Sequence, residues 1–147
     1  MSKALPAGSR LHLPVGTEAL RELRHDLRTP INAVIGYCEM LIEDAGAAAP
    51  AGFLVDLRRL HAAGRRMLRL TNELFSDRPS PLHQLTCQEV LRVCRTPASE
   101  VTTLCARLEQ PARATGLPQA VSDLQRIAVA TDRWRKRIEE MLAAHCR

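Results

Sequence analysis

The sequence predicts an all-α domain, an antiparallel four-helix bundle made of two tandem helical hairpins, and three observations carry that expectation. Aromatic residues are only 3% of the 147 residues, and the apolar remainder is mostly Leu, Ala, Val and Ile, a composition suited to packing between helices. Four segments repeat apolar residues with the period of one helix face, the first at three- and four-residue steps. Clusters of Pro and Gly separate those segments. A chain of this length fits one compact domain with a real core.

Residues 1–16 carry prolines and glycines without a sustained period and are expected to form an N-terminal tail that docks on the body. Thr17 is a candidate cap for the first helix. Its stripe runs through Leu20, Leu23, Leu27, Ile31, Val34, Cys38 and Leu41. Gly46, Pro50 and Gly52 interrupt the pattern. A second run follows through Leu54, Leu57, Leu60, Gly64, Met67, Leu68, Thr71, Leu74 and Phe75. These two runs make a hairpin over 17–77, and the prolines at 79 and 81 mark 78–84 as a linker.

Thr86 and Glu89 have the spacing of a capping box, in which each side chain satisfies a free amide at a helix start. The third run uses Cys87, Val90, Cys94, Val101, Leu104 and Leu108. Pro111, Gly116 and Pro118 punctuate the next turn, with Pro118 suited to a first helical position. The fourth run uses Val121, Leu124, Ile127, Trp134, Ile138, Met141 and Leu142, so a second hairpin spans 85–147 and joins the first in one bundle.

The second hairpin resembles the first in sequence. Arg28-Thr29-Pro30 recurs as Arg95-Thr96-Pro97, 67 residues on. At that same offset Glu22 meets Glu89, Val34 meets Val101, Cys38 meets Cys105, Leu41 meets Leu108, Asp56-Leu57 meets Asp123-Leu124 and Glu73 meets Glu140. Shared apolar spacing proves little in a bundle. An interior proline repeated at a constant offset across two helices points to duplication.

The net charge of +5 comes almost wholly from Arg, since Lys3 and Lys136 are the only lysines. These Arg residues are interleaved with Glu and Asp in every segment rather than gathered in a stripe with aromatics, so an acidic protein partner fits and nucleic acid is not expected. The cysteines at 38, 87, 94, 105 and 146 are odd in number and form no C-x-x-C pair. They are expected to be reduced, buried and apolar in behaviour, with neither a disulfide framework nor a zinc site. The N-terminus lacks a continuous apolar segment and no run approaches a membrane span, so a cytoplasmic protein with no membrane partner is expected.

Within the first helix, "LRHDLRTPINAVIGYCEML" (23–41) sets a histidine beside an acid, with Thr-Pro one turn later. Proline inside a helix costs about 3 kcal/mol, because it removes a donor and crowds the carbonyl one turn back. His25 lies off the apolar stripe. This stretch closely resembles the H-box of the HisKA-type dimerisation and histidine phosphotransfer domain of sensor histidine kinases. "DLRRLHAAGRRMLRLTNELF" (56–75) resembles that domain's second helix. The resemblance covers about 17–77 directly and 84–145 only through the repeat.

The resemblance implies that His25 is the phosphoacceptor, exposed on the bundle, with Asp26 orienting or deprotonating its ring. An imidazole with a pKa near 6.5 keeps a nucleophilic nitrogen available near neutral pH. Thr29 matches the residue that positions water for dephosphorylating a response regulator, and Pro30 the proline that bends the helix beyond the histidine. In the second hairpin Arg92 stands where His25 stands in the first, Val93 where Asp26 stands, and Ser99 where Asn32 stands. One phosphorylation site per chain and a monomeric pseudo-dimer are therefore expected.

The family's ATP-binding domain carries Gly-rich boxes, and these residues contain no Gly-x-Gly. The expectation is a histidine phosphotransfer protein of a bacterial phosphorelay, without autonomous kinase activity, exchanging phosphate with receiver-domain response regulators, with an upstream histidine kinase as a further candidate partner. No cofactor is expected on this chain, the receiver supplying its aspartate and Mg ion. The docking surface is expected around Arg28, Asn32, Ile35, Gly36 and Glu39 together with a neighbouring helix. Ile35, apolar yet off the stripe, either widens the core seam or docks.

Two other readings stay open. One is a non-catalytic module that binds or sequesters a regulator or kinase. The other is a response-regulator phosphatase working through Thr29. His12, His61, His83 and His145 are expected to be structural or solvated, with no metal site, because none of the four stands three residues after a Glu. Trp134, which replaces Met67 at the repeat offset, is expected to fill the core. The Arg-rich face of the second helix (Arg58, Arg59, Arg65, Arg66 and Arg69) is either solvated or meets a receiver's acidic rim.

Overall fold

The structure, a computed structural model, describes residues 5–46, 49–114 and 116–147. Four helices account for most of it: α1 (Glu18–Ala45), α2 (Ala51–Leu74), α3 (Cys87–Ala114) and α4 (Pro118–His145). Short connections make sequence neighbours antiparallel. The ring closes because α1 packs on α2 and α4, and α3 packs on the same two. Both hairpins thus contribute to one core within a single chain.

The local signals operate as their chemistry dictates. The Leu20 amide donates to Thr17 Oγ1 at 3.3 Å, starting α1. At α3 the Thr86 amide donates to Glu89 Oε1 at 3.1 Å and the Glu89 amide donates to Thr86 Oγ1 at 3.2 Å, a reciprocal capping box. Pro118 opens α4, where its missing N–H costs nothing. The proline-rich linker is more ordered than its composition implies. Residues Pro81–Gln84 form a 3-10 turn capped by Ser80, and His83 Nε2 donates to the Leu74 carbonyl at the end of α2, at 2.8 Å.

Most stripe residues are buried, including Leu20, Leu27, Ile31, Val34 and Cys38 of α1 and Leu57, Leu60 and Met67 of α2. Two positions differ from the expectation. Leu23 is only half-buried, and α2 buries Phe53 rather than Leu54 at its start. A stripe of about 100° leaves the residues at its edge to whichever neighbouring helix covers them. Trp134 is fully buried, and its indole N–H donates to Thr71 Oγ1 at 3.0 Å, which in turn donates to the Met67 carbonyl. Gly64 sets the α1/α2 approach: a Cβ there would lie 3.1 Å from Val34 Cγ1 and 3.4 Å from Ile35 Cγ1.

The expectation that all cysteines are reduced is corrected. Cys87 and Cys146 form a disulfide across 59 residues of sequence, while Cys38, Cys94 and Cys105 are free and buried. Cys87 begins α3 and Cys146 follows α4, so the antiparallel pairing of those helices brings both to one end of the bundle. No local spacing announces such a pair. The expected docking of the N-terminal segment occurs at this same end: the Cys87 amide donates to Ser9 O, Arg10 and Arg147 exchange backbone bonds of 2.9 and 3.0 Å, and the His12 amide donates to His145 O.

Candidate functional site

His25 sits two turns into α1, at the bundle end that carries the disulfide and the docked N-terminal segment. The apolar stripe turns Leu27 and Ile31 inward, which leaves His25, Asp26 and Thr29 exposed. Thr29 Oγ1 donates to the His25 carbonyl at 3.1 Å. Pro30 has no N–H for the Asp26 carbonyl, so two successive carbonyls of this turn depart from ordinary helical pairing. The Thr-Pro pair of α3 repeats part of this geometry, with Thr96 Oγ1 donating to the Arg92 carbonyl at 3.2 Å and Pro97 buried.

A groove of about 520 Å³ runs between α1 and α4. Its α1 wall is His25, Asp26, Thr29, Pro30 and Ala33, and its α4 wall is Ala130, Arg133, Lys136, Arg137 and Glu140. Arg137 Nη2 stands 4.0 Å from Asp26 Oδ2 and Arg137 Nη1 stands 3.8 Å from Glu140. Lys136 is held 3.0 Å from Asp132, whose carboxyl is kept below its ordinary pKa by hydrogen bonds from Arg135 and then Lys136. The His25 ring makes no hydrogen bond or ion pair among the described residues. The residue is exposed on the wall of the groove.

The residues expected to dock a partner are divided. Arg28, Ile35 and Glu39 turn toward α2: Arg28 Nε donates to Asn72 Oδ1 at 2.7 Å, Glu39 Oε1 lies 3.3 Å from His61 Nε2, and Ile35 lies over Gly64. Asn32 and Gly36 are exposed between the two flanks. His25, Asp26, Thr29 and Pro30 meet in the α1/α4 groove instead. The α4 wall, Arg133 and Lys136 above all, was missed by sequence reasoning, because which helix lies beside the histidine depends on how the ring closes. Among the described residues no group of three His, Cys, Asp or Glu side chains is placed to hold a metal ion, and no helix is long and apolar enough to cross a membrane.

Residues 17–80 match the His Kinase A (phospho-acceptor) domain, and this segment is a domain of that type. Among curated proteins the chain is similar to the cell-division control histidine kinases PdhS of Brucella anthropi, Brucella ovis and Brucella suis. Each is 34% identical over 60 residues, which is 40% of this chain and 6% of the relative. The matched stretch is therefore a small part of those kinases. No solved structure matches the chain.

Proposed function

We propose that the chain is a histidine phosphotransfer protein, taking a phosphoryl group onto His25 from a receiver-domain aspartate and passing it to another. The observation that carries this reading is the exposed, unpaired His25 ring within the phospho-acceptor segment, beside Asp26, Thr29 and Pro30. An imidazole nitrogen lone pair attacks phosphorus, the bond from phosphorus to the aspartyl oxygen breaks, and the receiver carboxylate leaves. The proton on the other ring nitrogen goes to Asp26 or water. The receiver's aspartate and Mg ion supply the remaining chemistry, so this chain contributes a positioned nucleophile.

The second hairpin is a degenerate copy of the first in this reading. Arg92 and Val93 replace the His-Asp pair, the Thr-Pro turn remains, and one chain builds what two hairpins of a dimer would build. Arg28, Asn32, Ile35, Gly36 and Glu39 dock the receiver on the α2 side of His25.

The test mixes receiver domains charged by acetyl phosphate with the wild-type chain and with His25→Ala, following acid-labile, base-stable phosphate on each protein. Label on the wild type alone supports phosphotransfer. Binding without label or loss of receiver phosphate supports a docking module, and loss of receiver phosphate without label, retained in His25→Gln, supports a phosphatase acting through Thr29. The named relatives favour a second phosphoryl source, a histidine kinase ATP-binding domain acting on His25, which the same label detects when such a domain and ATP replace the receiver.

A further inference from the structure

The two inter-hairpin interfaces use their cations differently. Between α2 and α3 Arg66 Nη2 is bonded to Glu100 Oε2 at 2.7 Å. Sixty-seven residues on from Arg66 is Arg133, and sixty-seven before Glu100 is Ala33, both lining the groove of His25. The arginine is kept and its carboxylate partner is an alanine. Arg133 accordingly has no ion pair or side-chain hydrogen bond among the described residues, while exposed on the wall opposite the histidine. The other charges of the groove are matched: Arg137 with Asp26 and Glu140, and Lys136 with Asp132.

An unpaired guanidinium facing an acceptor histidine suits a dianionic, tetrahedral group. Its planar fork binds two phosphoryl oxygens at once, and such charge-assisted bonds are stronger than neutral ones. A bare neutral imidazole offers Arg133 one acceptor nitrogen and no negative charge. Once phosphorylated, the ring carries about two negative charges and three acceptor oxygens, in a groove that already contains Asp26 and Glu140. Without a nearby free cation those carboxylates would disfavour the loaded state.

We propose that Arg133, with Lys136 beside it, holds the phosphoryl group carried by His25, so that the hairpin without a histidine supplies the phosphate-binding wall of the site. This rests on phosphorylation at His25 and gives the second hairpin a role beyond completing the fold. Arg133 is a phosphate-binding residue here, and the acceptor chemistry remains with His25.

Phosphoramidate tests this without a partner protein: the imidazole nitrogen attacks phosphorus, the P–N bond breaks and ammonia leaves. Phosphorus NMR then follows the ionisation of the phosphohistidine in the wild type, Arg133→Gln, Arg133→Gln/Lys136→Gln, Arg133→Lys and Arg66→Gln. Both positions are exposed and Gln is a good helix former, so circular dichroism should show the fold kept. The double variant should bind the phosphoryl proton about tenfold more tightly than the wild type, the scale expected for losing a charged hydrogen bond. Arg133→Lys should show only part of this tightening and Arg66→Gln none of it.

In exchange with a charged receiver, the equilibrium should shift away from His25 by a similar factor. Superimposable titrations for the wild type and the double variant would overturn the inference, as would failure of phosphoramidate to label His25. A cation-dependent titration with no receiver able to exchange label would overturn the phosphotransfer reading and leave the phosphate-binding wall standing.

Discussion

Breaking the Cys87–Cys146 disulfide should lower stability substantially while leaving the bundle helical. The bridge spans 59 residues of sequence. In the chain-entropy account, opening a loop of that length releases about 14 cal/mol/K in the unfolded chain, or about 4 kcal/mol at 25 °C. For a domain of this size each kcal/mol moves Tm by roughly 2–4 °C, so reduction should lower Tm by roughly 8–16 °C. Circular dichroism melts of oxidised protein, of protein with a phosphine reductant, and of Cys87→Ser/Cys146→Ser measure it directly. Far-UV signal at 20 °C should persist in all three, because the interfaces of α1 with α2 and α4 do not involve the bridge. Thiol titration of the unreduced, denatured protein should find three groups, those of Cys38, Cys94 and Cys105. Five titrating thiols, or a Tm indifferent to reductant, would refute the reasoning.

The three free cysteines predict an alkaline limit. Burial pushes the thiols of Cys38, Cys94 and Cys105 up from 9.0 to about 12. Because the folded values lie above the unfolded one, the protonated thiols stabilise the fold fully below about pH 9, and that contribution is lost as pH rises toward 12. Each thiol should cost about 1.4 kcal/mol per pH unit in that window, and urea midpoints between pH 8 and 11 should fall accordingly; a flat profile there would show the thiols to be solvated. A second prediction concerns Asp123, which is 1% exposed and whose Oδ2 has no hydrogen-bond partner among the described residues. At the repeat offset its counterpart Asp56 receives two bonds from Arg107, of 3.1 and 2.9 Å, and the counterpart of Arg107 is Met40. Met40→Arg should supply the missing donor and raise stability by about 1 kcal/mol, and a variant no more stable than its parent would break the correspondence between the hairpins.

The fold was legible because its signals are local. Thr17, the Thr86–Glu89 pair and Pro118 each act within one helical turn, and the spacing of Leu20, Leu27, Ile31 and Val34 marks an inward face whatever it packs against. The exposure of His25 follows from the same spacing. Features that join distant segments were not legible. Cys87 and Cys146 meet only because α3 and α4 are antiparallel and of equal length. Arg133 and Lys136 look like ordinary helix-surface cations until α4 is laid beside α1. Arg28 and Glu39 are polar residues on the expected docking face, yet each already has a partner on α2, which periodicity alone cannot announce.

Building the ring from two hairpins of one chain frees each interface from the other. In a bundle of two identical hairpins, symmetry writes every substitution twice, so an arginine released beside one histidine is released beside both. Here Ala33 and Glu100 occupy corresponding places and differ, and one interface keeps a closed ion pair while the other keeps an open cation. The tether also replaces a bimolecular encounter by an effective local concentration. Both walls of the histidine's groove are then carried by one chain.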